Sequence, residues 1–318
     1  MARLKPQMAV DLNGIEFPLP VLAASGCLGP GRETGLVDLH RLGGVVTRSL
    51  TLVPTKGAPT PRMAETASGL LTWVGLQNPG VEAFLAEDLP RFHRVGVPVV
   101  ASVAGSTLEE YVRVTSRLQA NPGIVGLEVY LGAIDEERGR GEPFVARLDR
   151  IHEVVGSVSR VSRLPVFVKL PALYPDLVEA VRTCVRAGAH GVTLIDGVPG
   201  LAVSAGTLRP RLAAPIGALS GPAIKPVALA AVFQVAQALP ELPIMGVGGI
   251  ATGEDAAEFL LAGAWAVQVG TAMLVNPAAP VQIAQGILAY LKDKGVSSPA
   301  DLRGRLRVRP RPAAEGAR

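Results

Sequence analysis

Residues 124–141, IVGLEVYLGAIDEERGRG, begin as an apolar run and end in a loop crowded with charge; six side chains between Gly126 and Gly141 are charged. An unbroken apolar run of this length indicates a strand covered on both faces, as a parallel sheet requires. A strand that feeds directly into a charged loop is how a barrel delivers residues to an active site. Working outward, the same kind of run recurs at 21–26 (VLAASG), 44–51 (GVVTRSLT), 97–105 (VPVVASVAG), 164–171 (LPVFVKLP), 191–196 (GVTLID), 242–249 (LPIMGVGG) and 265–271 (WAVQVGT). Between these runs lie amphipathic stretches of helical length, at 107–120, 176–189 and 253–264 among others. Thr107 and Asp176 are suited to cap helix starts, and Gly188 and Gly263 to end them.

Eight strands alternating with helices over about 270 residues predict a (β/α)₈ TIM barrel. The alternative, a doubly wound open sheet, would carry a GxGxxG after its first strand, and ASGCLGPG at 24–31 fits that only loosely. Two segments are extra. VDLNGIEFPLP (10–20) has an Asn-Gly turn between apolar pairs and is expected to be a β-hairpin closing the barrel bottom. Residues 51–80, after the second strand, are too long and too rich in Gly and Pro for a plain connection, and long βα loops on barrels are usually functional.

Composition narrows the function. The chain has 318 residues, 48% hydrophobic and only 4% aromatic, which suits a large, tightly packed core. The net charge of +4 comes from the end of the chain, where residues 303–318 hold six Arg against one Glu. The domain is therefore read as 1–302, followed by a basic, flexible tail at 303–318. With no basic face and few aromatics, neither nucleic acid nor membrane is expected as a partner. Cys27 and Cys184 match no metal spacing, the four histidines are scattered, and no apolar stretch has signal-peptide or membrane-spanning length. The expectation is a cytoplasmic, metal-free protein.

Candidate residues cluster at the predicted strand ends. Gly248 and Gly249 end the seventh strand, and Gly270 and Thr271 the eighth, where barrels bind phosphate through close backbone N–H groups and a helix N-terminus. Tight turns are the plainer reading of these glycines. Lys169 lies in an otherwise apolar strand and needs an anionic partner. It either stabilises a ring that gains negative charge or forms a buried ion pair with Glu128 on the next strand. Arg48, Asp196, Asp135 and Glu136 lie at the ends of other strands, facing one pocket if the barrel reading holds.

The strings GAPTPRMAETASGLL, GLQNPG, ALSGPAIKPVALA, PIMGVGGIATGEDAAEFLLAGAWAVQVGT and LAASGCLGPG together closely resemble class 1B dihydroorotate dehydrogenases, over about residues 8–290. The resemblance implies a cytoplasmic FMN-containing barrel that oxidises dihydroorotate to orotate in pyrimidine biosynthesis. It also implies a homodimer that passes electrons to a partner subunit carrying FAD and a [2Fe–2S] cluster, and then to NAD. Carried over by position, the flavin contacts are Ser25, Arg48, Ser102, Tyr130, Lys169, Ile195, Gly221, Gly248, Gly249, Gly270 and Thr271, and the substrate contacts are Thr72, Asp196 and Gly197.

The substrate side departs from the family pattern. Where the family reads roughly L-N-I-S-C-P-N, with the cysteine as base, this chain reads V-Y-L-G-A-I-D. Ala133 stands at the base position, Tyr130 and Asp135 replace asparagines, and Thr72 and the Asp196-Gly197 pair replace further substrate partners. Ser102 replaces a flavin-site asparagine and Arg48 a lysine. Unpaired polar groups cost roughly 1–3 kcal/mol each on binding, and a lost general base about 10²–10⁴ in rate. The expectation is an FMN-dependent oxidoreductase acting on CH–CH groups with a changed substrate, using Tyr130, Asp135 or Asp196 as acid or base. The alternatives are a working dihydroorotate dehydrogenase with a substitute base such as Glu136, and a catalytically silent barrel, with Tyr130 and Trp73 filling its cavity, that acts through a partner.

Overall fold

The computed structural model describes residues 7–28, 36–134, 136–137 and 141–307. In chain order, β1 (Val10–Asp11) and β2 (Glu16–Phe17) form a hairpin, and β3 (Val21–Ala23) and β4 (Gly44–Val46) follow it. After β5 (Met63–Thr66) and β6 (Gly69–Thr72) come β7 (Val99–Val103), β8 (Ile124–Tyr130), β9 (Val166–Leu170) and β10 (Gly191–Leu194). Next are β11 (Val198–Gly200), β12 (Val203–Ser204), β13 (Arg209–Pro210) and β14 (Gly217–Ser220), and then β15 (Ile244–Val247) and β16 (Ala266–Val269). Strands β3, β4, β7, β8, β9, β10, β15 and β16 close into a parallel barrel in that order. Each of the eight runs read from the sequence supplies one of them.

Helices pack outside the strands: α1 (Val81–Ala83) and α2 (Leu89–Val95), α3 (Leu108–Leu118), α4 (Leu148–Val161), α5 (Leu177–Arg186), α6 (Lys225–Ala238), α7 (Gly253–Ala262), α8 (Thr271–Val275) and α9 (Ala279–Lys294). The expected caps form. The Thr107 hydroxyl accepts from the Glu110 N–H and the Asp176 carboxylate from the Glu179 N–H, and Gly188 and Gly263 take positive φ at the ends of α5 and α7. None of the described helices is long and apolar enough to cross a membrane.

The β1–β2 hairpin plugs the barrel bottom. Leu12, Ile15 and Phe17 pack against Leu22, Val46, Val100, Phe167 and Met245 from the strand interiors. Each fully buried side chain of this size contributes about 1.5–3 kcal/mol. Above this apolar layer the barrel is filled by polar groups: Ser102, Glu128, Thr193 and Gln268 are wholly buried, and Lys169 is 8% exposed.

The segment after β4 is more than a loop. Strands β5 and β6 form a hairpin whose inner strand pairs with β14, and β14 pairs with β11, giving a four-stranded antiparallel sheet outside the barrel. Its polypeptide comes from the connections after β4 and after β10, both at the C-terminal end of the barrel. Asn78 of the GLQNPG motif ties the first of these down. Its carboxamide accepts from the Thr51 and Gly80 N–H groups and donates to Thr51 Oγ1 and the Leu76 carbonyl.

At the other end of the chain, Gly304 and Leu306 donate to the carbonyls of Leu260 and Leu261, and Arg303 stacks 3.6 Å from the Trp265 ring centre. Gly304 and Leu306 are thus bonded to α7, and the expected tail beyond 307 lies outside the described residues.

Candidate active site

Glu128 and Lys169 point into the barrel from neighbouring strands, with Lys169 Nζ 3.7 Å from Glu128 Oε1. Glu128 Oε2 accepts hydrogen bonds from the Thr193 hydroxyl at 2.8 Å and the Gln268 amide at 2.9 Å. The ion-pair reading of Lys169 is therefore correct as geometry, and it does not exhaust the lysine. The ammonium stands at the upper edge of the polar layer, where Tyr130 lies beside it in register on β8. Burial opposes its charge, but Glu128, Asp196 and Cys27 outweigh that and hold its pKa above the ordinary lysine value. Sequence reasoning missed Thr193 and Gln268; the available signal was a polar side chain at an inward position of an otherwise apolar strand.

The glycine-bearing ends of β15 and β16 converge with the segment before α6. Gly248 (φ +125°) and Gly249 (φ +76°) adopt conformations that side chains avoid, and a Cβ on Gly249 would stand 2.7 Å from the Lys225 backbone N and Cβ. Gly221 (φ +88°) lies against Thr271, whose hydroxyl bonds Ser220 Oγ at 2.8 Å. The backbone N–H groups of Gly248, Gly249, Gly270 and Thr271 donate to no other described residue. Four free donors, three of them on glycines, make an anion cradle. Ile195 borders it: its side chain faces the Gly248 position at 3.4 Å, and its N–H is spent on the Val247 carbonyl.

Other predicted contacts fall into place unevenly. Ser25 is half-buried just past β3, and Cys27 Sγ lies 3.4 Å from where a Gly270 Cβ would stand. Burial raises the Cys27 pKa against the opposing pull of Lys169 and Arg48. Arg48 also lines a cavity of about 390 Å³ beside the barrel, with Asn78, Glu87 and Asp88 on its polar side and Phe84 and Phe92 on its apolar side. Ser102 is 0% exposed and its hydroxyl pairs with Ser49 at 2.9 Å, so it supports the loop after β4 instead of opening to the mouth. Thr72 is the last residue of β6, paired with Ala218 across the outer sheet, and its hydroxyl reaches the Ala218 carbonyl at 3.4 Å. Trp73 beside it stays 37% exposed and is not buried as a plug.

Asp196 follows β10 and donates its N–H to the Leu170 carbonyl at 2.9 Å; Gly197 next to it packs on Ala218. Burial, opposed by Lys169, raises the Asp196 pKa. Tyr130 has its pKa raised strongly, first by the Asp196 charge, then by burial and by Tyr111. Ala133 is 5% exposed and its carbonyl accepts the Phe144 N–H, so no side chain at that position can take a proton. Glu136 is exposed, with its backbone bonded to Ser106, and Glu137 is engaged by Arg150. Asp135 lies outside the described residues.

A (β/α)₈ barrel whose mouth joins an anion cradle to a buried lysine belongs to the class that holds a phosphate-bearing ring cofactor. The family model described as dihydroorotate dehydrogenase matches residues 7–291. The chain is 43% identical over 305 residues to the dihydroorotate dehydrogenase B (NAD(+)) catalytic subunit of Geotalea daltonii, covering 96% of this chain and 99% of the relative. It is 44% identical over 304 residues to the protein of that name from Pelobacter propionicus, and 41% over 303 residues to that from Alkaliphilus metalliredigens, each covering 95% and 99%. The chain belongs to the dihydroorotate dehydrogenase family. FMN, the family's cofactor, fits the residues present: free N–H donors for a phosphate, and Lys169 for the ring.

Two outcomes test this electrostatic picture. Glu128→Ala would leave Lys169 buried without its counter-charge, and we predict a loss of about 3–5 kcal/mol in urea unfolding. Asp196 has a folded-state pKa above its unfolded value, so its ionised form penalises folding. That penalty vanishes as pH falls below the unfolded pKa and grows as pH rises toward the folded value. Asp196→Asn is therefore expected to stabilise the protein at pH 7, with a gain that shrinks to nothing near pH 3.

Proposed function

We propose that this protein is an FMN-dependent oxidoreductase of the dihydroorotate dehydrogenase type, exchanging two electrons between a carbon–carbon bond of a small molecule and the flavin. The observation that carries the reading is the pairing of the Gly248–Gly249–Gly270–Thr271 cradle with Lys169 at one barrel mouth. FMN, when bound, supplies a two-electron carrier. The cradle holds its phosphate, and the Lys169 ammonium opposes the negative charge that builds on a reduced ring. Thr72, Asp196 and Gly197 border the space left for a substrate. Dihydroorotate oxidation in pyrimidine biosynthesis is the reaction that family membership supports. The relatives' name, a catalytic subunit working with NAD(+), supports onward transfer through a partner subunit. We extend this to a partner carrying FAD and a [2Fe–2S] cluster, to a homodimer of the barrel, and to a cytoplasmic setting.

A second reading keeps the flavin and changes the substrate. One observation favours it: the position from which the family's cysteine takes a carbon-bound proton holds Ala133, buried and without a proton acceptor. An anaerobic absorbance titration with dihydroorotate separates the readings. Rapid bleaching of a yellow protein is the result expected of a dihydroorotate dehydrogenase. A yellow protein that stays yellow supports the second reading, and a protein that takes up no FMN contradicts both.

A further inference from the structure

We propose that Lys225 is a positioning residue for the phosphate site: bonded to Asp255, it holds the Gly248–Gly249 turn in the shape that presents its N–H groups to a phosphate. The inference rests on the flavin reading above. It gives a role to the ALSGPAIKPVALA motif, which that reading uses only at Gly221.

Glycine is permissive, so a pair of donors built on Gly248 (φ +125°) and Gly249 (φ +76°) keeps its shape only inside an outside frame. Two helix starts supply that frame. On one side lies the beginning of α6. A Cβ at 248 would stand 2.9 Å from Ala228 Cβ and 3.3 Å from Ile224 Cδ1, and one at 249 would stand 2.7 Å from the backbone N and Cβ of Lys225. The same segment reaches the other half of the cradle, where Ser220 Oγ lies 2.8 Å from Thr271 Oγ1.

On the other side lies the beginning of α7. Asp255 Oδ2 accepts the Ala251 N–H at 3.0 Å and the Thr252 N–H at 2.8 Å, and the Thr252 hydroxyl accepts the Asp255 N–H at 3.1 Å. This reciprocal capping box fixes the chain just beyond Gly249.

One bond joins the two sides. Lys225 Nζ lies 2.6 Å from Asp255 Oδ1, so one carboxylate grips the chain after the turn with one oxygen and the start of α6 with the other. The pair is partly shielded, with the Lys225 side chain 27% exposed and that of Asp255 15%, and salt weakens such a pair less than an exposed one. Burial opposes the Asp255 charge, but Lys225 and the Ala251 and Thr252 N–H groups outweigh it and hold its pKa below the ordinary carboxylate value. Lys225 also meets Glu258 at 2.9 Å on the next turn of α7. Among the described residues, Glu258 bonds nothing in the segment 248–252.

A clamp and a plain charge effect predict opposite signs at Asp255. A carboxylate near a phosphate repels it, so deleting that charge alone would tighten binding. If Asp255 holds the donors in place, its loss weakens binding even though a repulsive charge has gone. Lys225 cannot separate the two by itself, because its loss weakens binding either way.

The test titrates the full-length protein with FMN and with riboflavin, which carries the same ring without the phosphate. Quenching of flavin fluorescence gives each dissociation constant, and wild type is expected to prefer FMN. Lys225→Met keeps the stem against Gly249, and Asp255→Ala removes the other partner. Each should weaken FMN about tenfold, the size of coupling between directly bonded groups, and leave riboflavin within about twofold. The double variant should bind FMN no more weakly than the worse single variant, since both remove the same bond. Glu258→Gln should leave FMN binding unchanged. Tighter FMN binding in Asp255→Ala, unchanged FMN binding in either single variant, equal losses of FMN and riboflavin, additive losses in the double variant, or an equal loss in Glu258→Gln would each overturn the proposal. A wild type that binds FMN no better than riboflavin would remove the cradle assignment itself, which separates failure of that reading from failure of this one.

Discussion

A lysine and a glutamate buried face to face inside a barrel constrain everything built above them. Taking both charges out of water costs several kcal/mol per ion, and the cost is offset only when their mutual attraction is supplemented by hydrogen bonds. Here Thr193 and Gln268 supply those bonds to Glu128 from two further strands, so four strands must hold their register for the pair to form. The hairpin plug keeps the floor below it dry, and the outer four-stranded sheet stands at the C-terminal end above. What emerges at the mouth is a positive charge fixed in place, beside donors that a phosphate would satisfy. A cofactor that becomes more anionic on reduction is the natural occupant of such a site.

The same pair ties the cofactor side of the site to the barrel and not to the loop after β8. The flavin-facing features are backbone N–H groups, glycine conformations and a charge held by four strands, none of which depends on the loop after β8. That loop is secured elsewhere: Glu137 pairs with Arg150, which also lies over the Phe144 ring, and Phe144 and Val145 bond the carbonyls of Ala133 and Leu131. Side chains at 130, 132 and 133 are therefore exchangeable as a set. A tyrosine at 130 in this pose needs the glycine at 132, because a Cβ there would collide with its ring and oxygen.

Much of this was legible in the sequence, because barrel strands covered on both faces announce themselves as apolar runs and helix caps follow local rules. All eight strands, the bottom hairpin and the caps at Thr107 and Asp176 rest on such short-range signals. The outer sheet was not legible: β6 and β14 pair across nearly 150 residues in segments of four residues each, too short to set a period. The bond between the Ser102 and Ser49 hydroxyls was equally hidden, since it depends on how the chain turns after β4. The dependence of Tyr130 on Gly132 was hidden for a similar reason, since it follows from the direction of one ring. The domain boundary at 302 rested on charge alone, and charge does not reveal that Arg303 stacks on Trp265.

The most direct measurement is a crystal structure of the FMN-loaded protein. The account requires the phosphate on the N–H groups of Gly248, Gly249, Gly270 and Thr271 and the ring against Lys169. A flavin seated elsewhere, or one whose ring is turned away from Lys169, would contradict it.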